Sequence, residues 1–253
     1  MGEPQSSFQY ALFKAQWAYR HINDLNHFCQ GFVRANPYSI QAERNDDGVM
    51  VIHTGINPGM PREIPLFAGD AVHALRCALD YCWMGLERAA NPEKAGKHTF
   101  PFSEDSQGLI APGAKAAKRW SRPEIEVFIL DKVKPYRAGN AALWTLNRLD
   151  NRDKHNLLLI SLGKIVFDRF RLTAQDGSTV TGDGMSLIVG EMFPFAAVGS
   201  PGDHVDIHYE INTPVDVVLA ESGVIENALL VPTLLDMAQA VTTTVELFQK
   251  IFD

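Results

Sequence analysis

The sequence has few of the residues that staple small secreted domains together. It contains three cysteines, Cys29, Cys77 and Cys82, and no Cys-x-x-Cys pair. An odd count without paired spacing excludes a self-contained disulfide framework and the usual structural zinc motifs, and predicts free thiols in a reducing compartment. No apolar run approaches the roughly 20 residues needed to cross a bilayer. The opening stretch MGEPQSSFQYALFKAQW has no apolar leader segment, and its first lysine is Lys14. A cytoplasmic protein with no membrane partner is therefore expected. Positive charge is also scarce: 23 Lys+Arg against 30 Asp+Glu give a net charge of -7. That excludes broad, non-specific attachment to nucleic acid, but it leaves room for a local basic site. Familiar signatures are missing too. Gly182-Asp183-Gly184 is read as a turn between strands, not as a dinucleotide fingerprint. Gly199-Ser200-Pro201-Gly202 is not a nucleophile elbow, and no P-loop, HExxH or EF-hand occurs.

What is present suits one globular unit. The chain has 253 residues, 46% hydrophobic and 21% charged. That is enough for a core that needs no staple. Helical spacing of apolar residues, with Ser6 or Ser7 as cap, predicts a first helix over 7–34 with Phe13, Trp17, Leu25, Phe28 and Phe32 on its buried side; Asn36-Pro37 ends it. Residues 38–56 read as a β-hairpin around the turn Asn45-Asp46-Asp47-Gly48. A helix over 66–90 carries the apolar stripe Val72, Leu75, Leu79, Trp83 and Leu86, with Asp70, His73, Arg76, Cys77 and Asp80 on its other side. After the Phe100-Pro101-Phe102 loop come short helices near 111–120 and 123–132, then a helix over 139–160. From Lys164 the texture turns β. Ile165–Phe167, Phe170–Thr173, Ser186–Val189 and Val205–Ile211 read as strands, and Gly177, Gly182, Gly184, Gly199 and Gly202 as turns. A last helix covers 232–252. The expected fold class is α+β: a bundle of about four main helices, a hairpin, and an inserted antiparallel sheet. All of 1–253 is read as a single domain. Residues 1–160 are its mainly helical part, 161–231 a β-rich insertion, and 232–253 a helix returning to the bundle.

The most unusual stretch is Leu146-Asn147-Arg148-Leu149-Asp150-Asn151-Arg152-Asp153-Lys154-His155-Asn156. On a continuous helix Arg148, Arg152 and His155 share one face. Asp150 and Asp153 fall on the apolar side of Leu143 and Leu146, where a carboxylate requires a cation or several donors. The second polar stretch supplies such partners: Arg76 and Asp80 are an i,i+4 pair, His73 is one turn from Asp70 and Cys77, and Arg76 is expected to reach Asp150 or Asp153. Three readings follow. In the first, Arg148 and Arg152 clamp a phosphate and His155 is a general acid or base, with His73, Arg76, Asp70, Asp80, Asp150 and Asp153 as binding residues. In the second, Asp24-x-x-His27, Asp70-x-x-His73 and Asp153-x-His155 hold a metal inside the bundle. In the third, a buried Arg-Asp-His network ties helices together in a non-enzymatic assembly or binding protein, with no cleft there and an apolar oligomer surface. No cofactor is assigned. His204, Asp206, His208 and Glu210 alternate along a strand and read as a solvated outer face, since His204 and His208 lie roughly 13 Å apart.

Arg148-x6-His155 resembles the Arg-x(4–6)-His motif of HEPN-domain ribonucleases, metal-free RNA-cleaving helical bundles that often pair across a dimer. The resemblance covers that motif alone, and Leu149 stands where the superfamily usually has a polar residue. It implies RNA or a small phosphate-bearing ligand as partner, and a homodimer. A longer likeness runs through residues 10–160. Arg20-His21-Ile22-Asn23-Asp24-Leu25, Gly69-Asp70-x-x-His73-x-Leu75-Arg76-x-x-Leu79-Asp80, Phe100-Pro101-Phe102 and Leu146-Asn147-x-Leu149-x-Asn151-x-Asp153-Lys154-His155 are similar to segments found in the same order in a group of bacterial hypothetical proteins. That group implies architecture and a bacterial origin, not a reaction. Ala74 and Cys77 replace its common Asn and Ser, which speaks against a chemical role for those two positions.

Overall fold

The computed structural model describes residues 4–44, 49–57, 59–90, 99–189, 192–195, 205–211 and 216–252. It is an α+β structure. Helices α1 (Pro4–Arg34), α2 (Glu63–Ala90), α5 (Ala141–Asp153) and α6 (Leu230–Phe252) form the main helical layer, and α3 (Gln107–Trp120) and α4 (Glu124–Phe128, continued by a π-helical turn to Val133) flank it.

Helix α1 buries Phe8, Ala11, Ala15, Ala18, Ile22, Leu25, Cys29 and Phe32. The steps between them alternate three and four, so they form one seam. Three alanines in that seam let α2 approach closely. The expected inner residues Phe13, Trp17 and Phe28 are instead 60%, 49% and 44% exposed. Bulk did not mark the buried face here; the small residues did. Phe28 stacks on Phe67 near the start of α2, with ring centroids 5.1 Å apart. Tyr10 shares a groove with Tyr81 and Arg88 near the end of α2. The two helices therefore run antiparallel. On α2 the whole predicted stripe, Val72 to Leu86, is buried. Trp83 joins Trp120, Phe100 and Phe248 in an aromatic cluster that fixes α3, the Phe100 loop and α6 to α2.

Among the described residues the strands form three antiparallel three-stranded sheets. Strands β1 (Tyr38–Arg44) and β2 (Met50–Ile56) make the expected hairpin, whose turn lies outside the described residues, and β6 (Met192–Phe195) adds to β2. Part of the β-rich segment thus extends the hairpin. A second sheet has the order β5 (Thr179–Ile188), β4 (Lys164–Ala174), β7 (Val205–Ile211). The segments around Phe167 and Phe170 are one strand with an irregularity between Phe167 and Arg169. Gly182 and Gly184 are not turns. They lie within β5, where Gly184 takes a left-handed φ of 66° while the pairing with β4 keeps one register on either side, Phe167 opposite Met185 and Arg169 opposite Asp183. Gly177 (φ 81°) does turn the chain between β4 and β5. The third sheet has the order β3 (Ile160–Leu162), β8 (Val217–Glu221), β9 (Ile225–Leu229), and no strand was expected at β8 or β9.

Helix α5 is shorter than its sequence suggested. Asn140 caps it by accepting the Leu143 N–H at 3.1 Å, and it stops at Asp153. Leu159 then donates its N–H to Glu221 Oε1 at 2.7 Å, and Ile160 pairs with Leu219. The apolar run Leu157–Ile160, read as the helix's last turn, leads instead into a strand. Sheet pairing with β8 outweighs its helical spacing.

Candidate functional site

The two polar stretches meet where α2 packs on α5. Asp150 is 1% exposed, as its place on the apolar side of α5 requires. His73 Nδ1 lies 3.1 Å from Asp150 Oδ1. Lys154 Nζ lies 2.6 Å from Oδ2, a charge contact outside hydrogen-bond geometry. Arg76 does not reach Asp150 or Asp153 as expected. It donates to Asp80 at 2.6 Å and lies over the Phe102 ring, 4.6 Å from its centroid. Asp80 also accepts the Phe100 N–H at 2.8 Å. Arg76 and Asp80 therefore fasten the Phe100-Pro101-Phe102 loop to α2. An i,i+4 partner on its own helix spares Arg76 the reach across to α5.

Asp153 is half-buried, and its carboxylate fills the space left by the missing side chain of Gly69. Burial, then the charges of Asp150 and Asp70, hold its pKa above the ordinary carboxylate value, and His73 opposes them. Asp70 itself is exposed.

Arg148, Arg152 and His155 do not form a clamp. Arg148 reaches Glu104, ahead of α3, at 3.3 Å, and Glu104 also accepts the Trp144 indole N–H at 3.1 Å. Arg152 turns to β8, donating to Glu221 Oε2 at 2.5 Å and to the Ser222 carbonyl at 2.7 Å. His155 stands exposed in the turn after α5. The i+7 alignment fails because the helix ends two residues before it. Each arginine already has a carboxylate partner on a different element.

The metal reading finds no assembled ligand set: among the described residues no three His, Cys, Asp or Glu groups are placed to hold an ion. Asp206 and His208 point outward on β7, while Val205 and Ile207 pack on the core. His204 lies outside the described residues.

The structure brings forward one feature absent from the sequence reading and one that the reading had set aside. The first is a groove of 560 Å³ between the start of α1 and the end of α2, lined by Tyr10, Phe13, Lys14, Trp17, Tyr81, Met84, Gly85 and Arg88. Tyr10, Phe13, Trp17 and Tyr81 are each at least 46% exposed. The signal is Tyr10, Phe13 and Trp17 at helical spacing, of which Phe13 and Trp17 are expected in the core. The second is Cys77, whose Sγ lies 3.4 Å from His73 Nε2. Its signal was the i,i+4 spacing of His73 and Cys77. Cys29 and Cys82 are buried, and burial pushes the Cys29 thiol up to about 11 and that of Cys82 higher still. Cys77 is only partly buried.

No helix among the described residues is long and apolar enough to cross a membrane. No protein-family model, curated protein or solved structure matches the chain.

Proposed function

We propose that the protein binds a small phosphate-bearing ligand with a planar body, a nucleotide or one nucleotide of a single RNA strand, in the groove between α1 and α2. In this reading the Arg76–Asp80 and Arg152–Glu221 pairs are structural ties. One observation carries it: four exposed aromatic side chains and two cations, Lys14 and Arg88, line one cavity. Neither cation has an acidic partner among the described residues. Bases stack on aromatic faces at about 1–3 kcal/mol each, and a phosphate answers unpaired cations. The volume falls within the range of small-molecule sites. Arg148 and Arg152 enter differently, since each already neutralises a glutamate.

Calorimetric titration with AMP and with an adenosine hexanucleotide tests this. AMP should bind, Trp17→Ala should weaken it roughly 10-fold or more, and Lys14→Ala with Arg88→Ala should remove most of the rest. A hexanucleotide that binds much more tightly than AMP assigns the site to RNA; equal affinity assigns it to the free nucleotide. Absence of heat with both ligands, or full binding by Trp17→Ala, overturns the reading.

A further inference from the structure

Cys77, His73 and Asp150 form a chain of two contacts. Cys77 Sγ is 3.4 Å from His73 Nε2, and His73 Nδ1 is 3.1 Å from Asp150 Oδ1. Asp150 is buried, and Lys154 stands on its other oxygen, so the carboxylate is held in place. The His73 ring is 58% exposed, which leaves it open to solvent and to a reactant. An Nδ1–H donated to Asp150 fixes the tautomer in which Nε2 accepts a proton. This is the order of a nucleophile, a base and the group that orients the base. The thiol is also not isolated from the groove. Tyr81, on the groove wall, is one turn further along α2, and Lys14 from α1 acts on the thiol electrostatically.

We infer that Cys77 is a nucleophile for an activated acyl group, an ester or thioester carbonyl, with His73 as its base and Asp150 as the positioning residue. This goes beyond the nucleotide-binding reading and does not depend on it. His73 Nε2 takes the thiol proton as sulfur attacks the carbonyl carbon. The C–S bond forms, and the C=O pair moves to oxygen, where Lys14 supplies positive charge. The tetrahedral species collapses, the C–O or C–S bond to the leaving group breaks, and that group departs with the proton from His73. Water then attacks the thioester on Cys77 with His73 again as base. The products are a carboxylic acid and the free thiol. No oxidant or reductant takes part.

Burial, with Asp80 and Asp150, raises the Cys77 pKa, whereas Lys14 and Arg76 lower it. The resting thiol is accordingly protonated at neutral pH, and its reaction relies on transfer to His73 within the step. Those four charged groups and His73 are the ones that bear on the thiol from α1, α2 and α5.

Mixing the full chain with p-nitrophenyl acetate tests this, followed by mass measurement of the acylated peptide. One equivalent of p-nitrophenolate should appear in a burst, with the acetyl group on Cys77. Cys77→Ala should abolish the burst. His73→Gln and Asp150→Asn should slow it roughly 10²-fold, His73→Gln being the decisive variant because its amide can keep a hydrogen bond to Asp150 but cannot take the thiol proton. Iodoacetamide labelling of Cys77 should likewise slow in His73→Gln at pH 7 and recover at a pH above the thiol's own pKa. A burst that survives Cys77→Ala, no burst at all, or labelling indifferent to His73→Gln overturns the proposal.

Discussion

Asp153 presses its carboxylate against α2 where Gly69 has no side chain. Burial and two neighbouring carboxylates, Asp150 and Asp70, raise its pKa. The folded protein therefore holds this proton more tightly than the unfolded chain. The stability it contributes is complete below the ordinary carboxylate value and is lost as pH rises through the raised folded value. Asp153→Asn keeps the shape and removes the charge. Thermal unfolding should show Asp153→Asn more stable than wild type at neutral pH, with the gap closing as the pH falls below the ordinary carboxylate range. A gap that widens on acidification would contradict the assignment. The burial of Asp150 was legible from its phase on α5, because an apolar stripe names whatever residue lies in register with it. The partner of Arg76 was not. Sequence spacing offered Asp80, Asp150 and Asp153 alike, and only the packed Phe100 loop selects the first.

At the scale of elements, the terminus of α5 decides what its charged residues do. Arg152 ties the end of the helix to β8 through Glu221, which also receives the Leu159 N–H. Glu221 is 4% exposed, so losing its guanidinium leaves a buried carboxylate short of a counter-charge. Arg152→Ala should lower stability in urea unfolding by about 1–3 kcal/mol, a discounted value because Arg152 is itself half-exposed. AMP binding should be untouched. A neutral effect on stability would remove the structural role given to this pair. The helices themselves were legible because long apolar periodicity is a strong signal. The boundary at Asp153 was not, since Leu157–Ile160 fits a helical turn as well as a strand and its partner β8 lies more than 50 residues away. Strand β8 is buried at Val217, Val218, Leu219 and Glu221 and so lacks the two-residue alternation that marks a strand, β9 is its hairpin neighbour, and β6 is a short strand on the edge of a hairpin that precedes it by more than 130 residues.

At the scale of the whole molecule, some polar and aromatic residues stand where the sequence did not place them, although the α2 stripe and Asp150 are buried as expected. Charged groups expected to meet a ligand meet one another between α2, α5, β8 and the loops. Three aromatic groups expected in the core, Phe13, Trp17 and Phe28, stand on the surface of α1, while Phe32 is buried as expected. The cause is the alanine seam, which lets α1 lie close on α2 with its small residues inward and turns Phe13 and Trp17 outward. The fold class could be read from patterning, because helical and strand periods differ. The site could not, because whether a polar side chain works or ties depends on what the rest of the chain brings opposite it. The most direct test is photolabelling with 8-azido-AMP followed by peptide mapping. Label on the peptides that carry Tyr10–Trp17 or Tyr81 is the predicted result. Label confined to residues 148–156 would contradict the account and return the site to the Arg148–His155 stretch.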